Sequence, residues 1–241
     1  MAIALVLKTS GRKPLEVRVL YPPPMEILFK YDLDKDAVNF INGTKSKNNS
    51  KPTKLQQLYI DEHGPNYDKA VVLDFIKSYT TKNELDLNTI KNQLEKDWRK
   101  IEQPFFDRIE KIFKISYPTN QITAYLTTNG RCTYNIEDSY FFVYFASKSP
   151  NSIIMHELFH FYTWQVFHKN FIADGFTEGK YNDVKESLTE LLNIEFLDLM
   201  DGAHDDGYSQ HSEIRKEIGK QWHETKDLQK IVAELASKLK Q

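Results

Sequence analysis

One pentapeptide, His156-Glu157-Leu158-Phe159-His160, combines the side chains that metal-assisted hydrolysis requires. On an α-helix, residues four apart share a face about one turn apart, so His156 and His160 can each aim a ring nitrogen at one ion. Glu157 lies one step round the helix, away from that coordination position. It can still reach a water on the ion, which is where a general base is wanted. Catalytic Zn2+ usually takes three protein ligands and leaves a fourth position open. A third ligand must therefore come from another part of the chain.

The segment from Pro150 to His168 is built to hold this pentapeptide as a helix. Ser149 suits the N-cap, and Pro150 suits the first helical position, where its missing N–H costs nothing. Ile153, Ile154, Met155, Leu158, Phe159, Phe161, Trp164, Val166 and Phe167 make the helix apolar on nearly every side. That is the pattern of a helix buried in a core. Two histidines and a glutamate in such a setting need a shared partner, because unpaired buried polar groups are costly.

Two routes lead to the third ligand. A histidine six residues after His160 would complete a three-histidine site, but Val166 stands there and Thr163 replaces the accompanying glycine. His168 is turned well away from His160 and reads as an ordinary histidine at a helix end. The other route is a carboxylate from a later helix. A helical pattern runs from Val184 to Met200, and Glu186, Glu190 and Asn193 share one stripe of it. Two carboxylates one turn apart repel unless a positive centre lies between them, as a zinc ion would. Glu178, in Phe176-Thr-Glu178-Gly179, is the competing candidate.

H-E-x-x-H followed by a helix with two acidic residues four apart resembles the gluzincin metallopeptidases, the thermolysin type among them. The resemblance covers about residues 140–200. It implies Zn2+ held by His156, His160 and Glu186, Glu190 bonded to a ligand histidine, and Glu157 as the base for peptide hydrolysis. Lys185 departs from the pattern, since the thermolysin type has asparagine there, and the interval from His160 to Glu186 is longer. The family also uses a later His or Tyr to stabilise the oxyanion. Tyr208 and His211, in a polar loop entering a helix with Ile214, Ile218 and Trp222, are the candidates, with His204 and His223 as bystanders. A second function remains open, that of a zincin-fold binding or regulatory protein that keeps the metal without hydrolysing anything.

The remaining sequence must supply the scaffold. The 241 residues carry a net charge of −2, which gives no global field toward nucleic acid or a membrane. The single cysteine, Cys132, excludes an intrachain disulfide and reads as packing. Strands are expected at residues 2–7, 16–21 and 55–60, with a polar loop over 42–54. Helices are expected from Asp68 to Tyr79 and from Asp86, the latter kinked or split at Pro104. A strand pair, Ile122–Thr127 and Tyr140–Phe145, is expected around an Asn129-Gly130 turn, with the second strand offering its edge to an extended substrate. Residues 211–222 and 225–240 supply two further helices. Asp32-Leu-Asp-Lys-Asp36 fails as a calcium loop because Ala37 stands where glycine is needed. The expected architecture is α+β. A small strand-rich region (1–65) precedes a mainly helical, zincin-like domain (66–241) with a short sheet beside the metal helix. The N-terminal apolar run is too short for a signal peptide, so a cytoplasmic protein acting on a peptide or protein substrate is expected.

Overall fold

The computed structural model describes residues 25–44, 51–119, 121–200 and 202–239. The strands expected at 2–7 and 16–21 lie outside these. The fold is α+β, with one four-stranded sheet set among helices. In chain order come β1 (Glu26–Tyr31), α1 (Leu33–Asn42), α2 (Lys54–His63), α3 (Lys69–Lys82), α4 (Leu87–Arg99), α5 (Glu102–Phe113), β2 (Gln121–Thr127), β3 (Tyr134–Asn135) and β4 (Tyr140–Tyr144). The metal-helix candidate α6 (Pro150–Thr163) follows and runs through a π turn (Trp164–His168) into α7 (Lys169–Ala173). Then come α8 (Glu178–Leu188), α9 (Glu190–Glu195), α10 (Ser212–Thr225) and α11 (Leu228–Leu239). None of the helices described is long and apolar enough to cross a membrane.

The sheet order is β1-β2-β4-β3. β1, β2 and β4 are parallel, and β3 closes one edge antiparallel to β4. Ala124 sits in register between Phe29 and Phe141, a small residue accommodating two rings. Phe141, Phe142 and Val143 are all buried, and a continuous apolar run of this kind marks a strand covered on both faces. The expected hairpin between β2 and β4 is therefore replaced by parallel pairing. Asn129 is fully buried and engaged elsewhere, its backbone N–H donating to the Thr127 hydroxyl and its side-chain oxygen accepting from Thr53. The hairpin in this region joins β3 to β4, with Ser139 in the left-handed region at φ 51°. Because β2 and β3 occupy both sides of β4, β4 has no free edge, and the edge strands of the sheet are β1 and β3.

Residues 55–60 form part of α2 rather than a strand. Thr53 caps the helix by accepting from the Gln56 backbone, and the Gln56 side chain returns the bond to the Thr53 N–H. This reciprocal pair fixes the first turn. Leu55 and Tyr59, four apart, then bury together against Phe40 of α1 and Phe75 of α3. These helices share one small core, and β1 belongs to the main sheet through its pairing with β2. Residue 65 thus falls between two helices of a single cluster.

The main core surrounds α6. Phe113 of α5 packs edge-on against Phe159 (5.0 Å between centroids), and Phe141 of β4 meets Phe161 at 6.2 Å. Pro150 occupies the first turn as expected, although the Ser149 side chain makes no capping bond. The expected single helix from Val184 to Met200 is broken at Thr189. The Thr189 hydroxyl donates to the Glu186 carbonyl at 2.7 Å, the kind of local side-chain bond that competes with helix continuation.

Candidate metal centre

α6 and α8 cross so that His156, His160 and Glu186 offer three ligand atoms within 4.8 Å of one another. His160 Nε2 lies 3.3 Å from Glu186 Oε1, and His156 Nε2 lies 3.6 Å from Glu186 Oε2. Zinc bonds of about 2.0–2.1 Å in tetrahedral geometry put neighbouring donors about 3.3 Å apart, and each histidine meets one Glu186 oxygen at close to that spacing. The donor set, two imidazoles and a carboxylate, suits zinc chemically as well.

Each imidazole has a distinct environment. His156 Nδ1 lies 2.5 Å from Asp205 Oδ2, while its Nε2 faces Glu186. Burial opposes the charged ring, but the Asp205 and Glu186 carboxylates outweigh it and push the His156 pKa up to about 10. His160 is buried with an unpartnered Nδ1. Burial, followed by the charges of Lys185 and His156, brings its pKa down to about 3. Burial alone would raise Glu186, yet His160, His156 and Lys185 hold it far below the usual carboxylate range.

Glu157 is buried beside these three residues, and its Oε2 has no hydrogen-bond partner. Burial raises its pKa to about 7, with Glu186 and Asp205 adding to the effect and His156 and Lys185 opposing it. A carboxyl near neutrality suits transfer of a proton in both directions. His156 and Glu157 open onto a cleft of about 420 Å³. Its other walls are the 130–132 segment leading to β3, Ser152 and Ile153 of α6, and the loop from His204 to Tyr208.

The site departs from the sequence expectation in its support. Glu190 does not bond a histidine; its Oε2 lies 2.9 Å from the Arg215 guanidinium. The break at Thr189 removes Glu190 from the Glu186 stripe. Asp205, from the loop after α9, takes the expected role on His156. Glu178 lies outside the cluster, at the head of α8, where it meets the ring of His168 at 2.9 Å. His168 also stacks on Trp164 with centroids 3.3 Å apart. Of the oxyanion candidates, Tyr208 lines the cleft and is 52% exposed. His211, the residue just before α10, is buried as expected, but its Nε2 meets Asp183 at 3.0 Å and it does not line the cleft. His204 is exposed.

Sequence reasoning missed three residues. Lys185 is only 3% exposed, with Nζ 2.9 Å from Glu186 Oε1 and a short hydrogen bond to the Tyr134 hydroxyl. Lysine is rarely buried without such partners, and nothing in the helical pattern marks it. Asp205 and Arg215 are joined to the site only by tertiary contacts, Asp205 lying 49 residues from His156 in sequence. No protein-family model, curated protein or solved structure matches this chain.

Proposed function

We propose that this chain is a zinc-dependent metallopeptidase of gluzincin type with a zincin-like fold, held in the cell cytoplasm and acting on a peptide or protein substrate. The observation carrying the reading is the convergence of His156, His160 and Glu186 behind a cleft onto which His156 and Glu157 open, with an unpartnered carboxylate oxygen of Glu157 beside them. Zn2+ held by these residues would supply a Lewis acid for the scissile carbonyl and lower the pKa of the attacking water.

The chain's own groups then have distinct tasks. Glu157 Oε2 accepts a proton from the attacking water and returns it to the leaving amine. Asp205 holds the His156 ring so that Nε2 faces the centre. Lys185 fixes the Glu186 carboxylate. Tyr208 presents a hydroxyl at the cleft wall, where it can donate to the developing oxyanion.

The test combines metal analysis with hydrolysis of a broad peptide library. Wild type is expected to hold about one zinc per chain and to cleave peptides in a chelator-sensitive way. Glu157→Ala is expected to keep the zinc and lose about 10²–10⁴-fold in hydrolysis. Cleavage by Glu157→Ala at the wild-type rate would overturn the mechanism. Zinc uptake without cleavage by wild type would favour a binding or regulatory protein.

A further inference from the structure

We propose that Arg215 is the positioning residue of the metal centre, setting metal affinity by clamping Asp205 and, through it, the ring of His156. The proposal rests on the metal-centre reading above. Arg215 stands on α10, is 5% exposed and does not line the cleft. Its guanidinium reaches Asp205 twice. Nη1 lies 3.1 Å from the Oδ1 carboxylate oxygen, and Nη2 donates to the Asp205 backbone carbonyl through a short bond. The same group donates to Thr189 Oγ1 at 2.7 Å and pairs with Glu190 at 2.9 Å, both just beyond the end of α8. Arg215 thus ties the loop carrying the orienting carboxylate to the helix carrying Glu186.

The chemistry of the pair explains why arginine stands here. A planar guanidinium with five donors can hold a carboxylate, a carbonyl, a hydroxyl and a second carboxylate at fixed angles, whereas a lysine ammonium cannot. Asp205 has Oδ2 for His156 and Oδ1 for Arg215 and the Thr189 hydroxyl, so rotation of the carboxylate away from His156 breaks these contacts together. Asn193 completes the hold by accepting from the Asp205 N–H at 2.8 Å and donating to its carbonyl at 2.9 Å. The loop also makes room for the clamp. Gly207 has φ +61°, and a Cβ there would meet Arg215 Nη1 at 2.7 Å. Glycine satisfies both the backbone conformation and the close approach.

The experiment measures the zinc dissociation constant by chelator competition on the folded full chain, for Arg215→Lys, Asp205→Asn and the double variant. Groups that orient a metal-binding histidine typically govern about 10–100-fold in affinity, and Arg215→Lys is expected to weaken zinc by about tenfold. If Arg215 acts through Asp205, the double variant binds no more weakly than Asp205→Asn alone. Arg108→Lys, which loosens an ion pair with Asp198, serves as the control for losing a guanidinium elsewhere and should leave zinc affinity unchanged. Should Arg215→Lys not fold, Gly207→Ala, which pushes on the guanidinium, is measured in the wild-type and Asp205→Asn backgrounds. It is expected to weaken zinc only in the first. Wild-type affinity in the folded Arg215→Lys or Gly207→Ala protein, or effects that multiply in the doubles, would overturn the clamp while leaving the metal centre standing. Absence of zinc binding in wild type would overturn both.

Discussion

Asp205 Oδ2 lies 2.5 Å from Nδ1 of His156, whose other ring nitrogen faces Glu186 at 3.6 Å. A histidine held between two carboxylates in this way has its ring plane set before any ion arrives, and Asp205 keeps the proton on Nδ1 once Nε2 gives up its own to a metal. The sequence pattern assigns the orienting task to Glu190, and the structure separates the two possibilities. Asp205→Asn is expected to weaken zinc binding by about 10–100-fold. Glu190→Gln, which removes one of several partners of Arg215, should leave affinity close to wild type. Equal losses in the two variants would return the task to Glu190.

The choice of third ligand is equally open to measurement. Glu186 lies between both histidines, and Glu178 pairs with His168 on the surface. Glu186→Gln should abolish stoichiometric zinc at micromolar metal, because the amide neither carries charge nor ligates well. Glu178→Gln should retain full zinc, since an exposed His–Glu pair contributes about 1 kcal/mol or less. Metal content of the two purified proteins decides the matter. Full zinc in Glu186→Gln would exclude it as a ligand.

For the oxyanion, the positions of Tyr208 and His211 predict different phenotypes. Tyr208 lines the cleft, and burial with the nearby Glu186 charge raises its pKa, so its hydroxyl remains a donor at neutral pH. Tyr208→Phe is expected to lower kcat by about 10²-fold with little change in KM or stability. His211 is buried against Asp183, and His211→Ala should lower thermal stability before it lowers the turnover of folded protein. Unchanged kcat in Tyr208→Phe would remove it from the mechanism.

What the sequence revealed depends on how local the cause is. α6 was legible because its apolar residues, proline start and histidine spacing all act within one helix. The sequence singles out Glu186 by the carboxylate one turn on, and that ground fails at the Thr189 break; it meets the histidines because α8 packs beside α6. The pairing of β2 with β4 was not legible, because Asn129-Gly130 carries a strong turn signal while a local bond to Thr127 and a tertiary one from Thr53 engage Asn129. The strand expected at 55–60 failed for a different reason. Its Thr53-x-x-Gln56 capping box was visible in the chain, and the apolar run alone could not tell a helix from a strand. Asp205 and Arg215 had no local signature, since their roles arise from where a loop and α10 come to rest.

The buried carboxyl of Asp36 gives the scaffold a pH dependence separate from the metal centre. Its Oδ1 accepts from the Thr127 hydroxyl at 2.6 Å and from the Thr128 N–H at 2.9 Å, while Oδ2 is buried without a partner. Burial outweighs those bonds and raises its pKa from 3.8 to about 6. A carboxyl raised on folding favours the protonated native state. Its stabilising contribution is therefore complete below the unfolded value and is lost as pH rises through about 6. The shift of about two units corresponds to roughly 3 kcal/mol. In Asp36→Asn the oxygen can still accept both bonds while the titration is gone. Denaturation midpoints measured from pH 4 to pH 8 should fall less steeply with rising pH in Asp36→Asn than in wild type, and parallel profiles would show that Asp36 is not the group responsible.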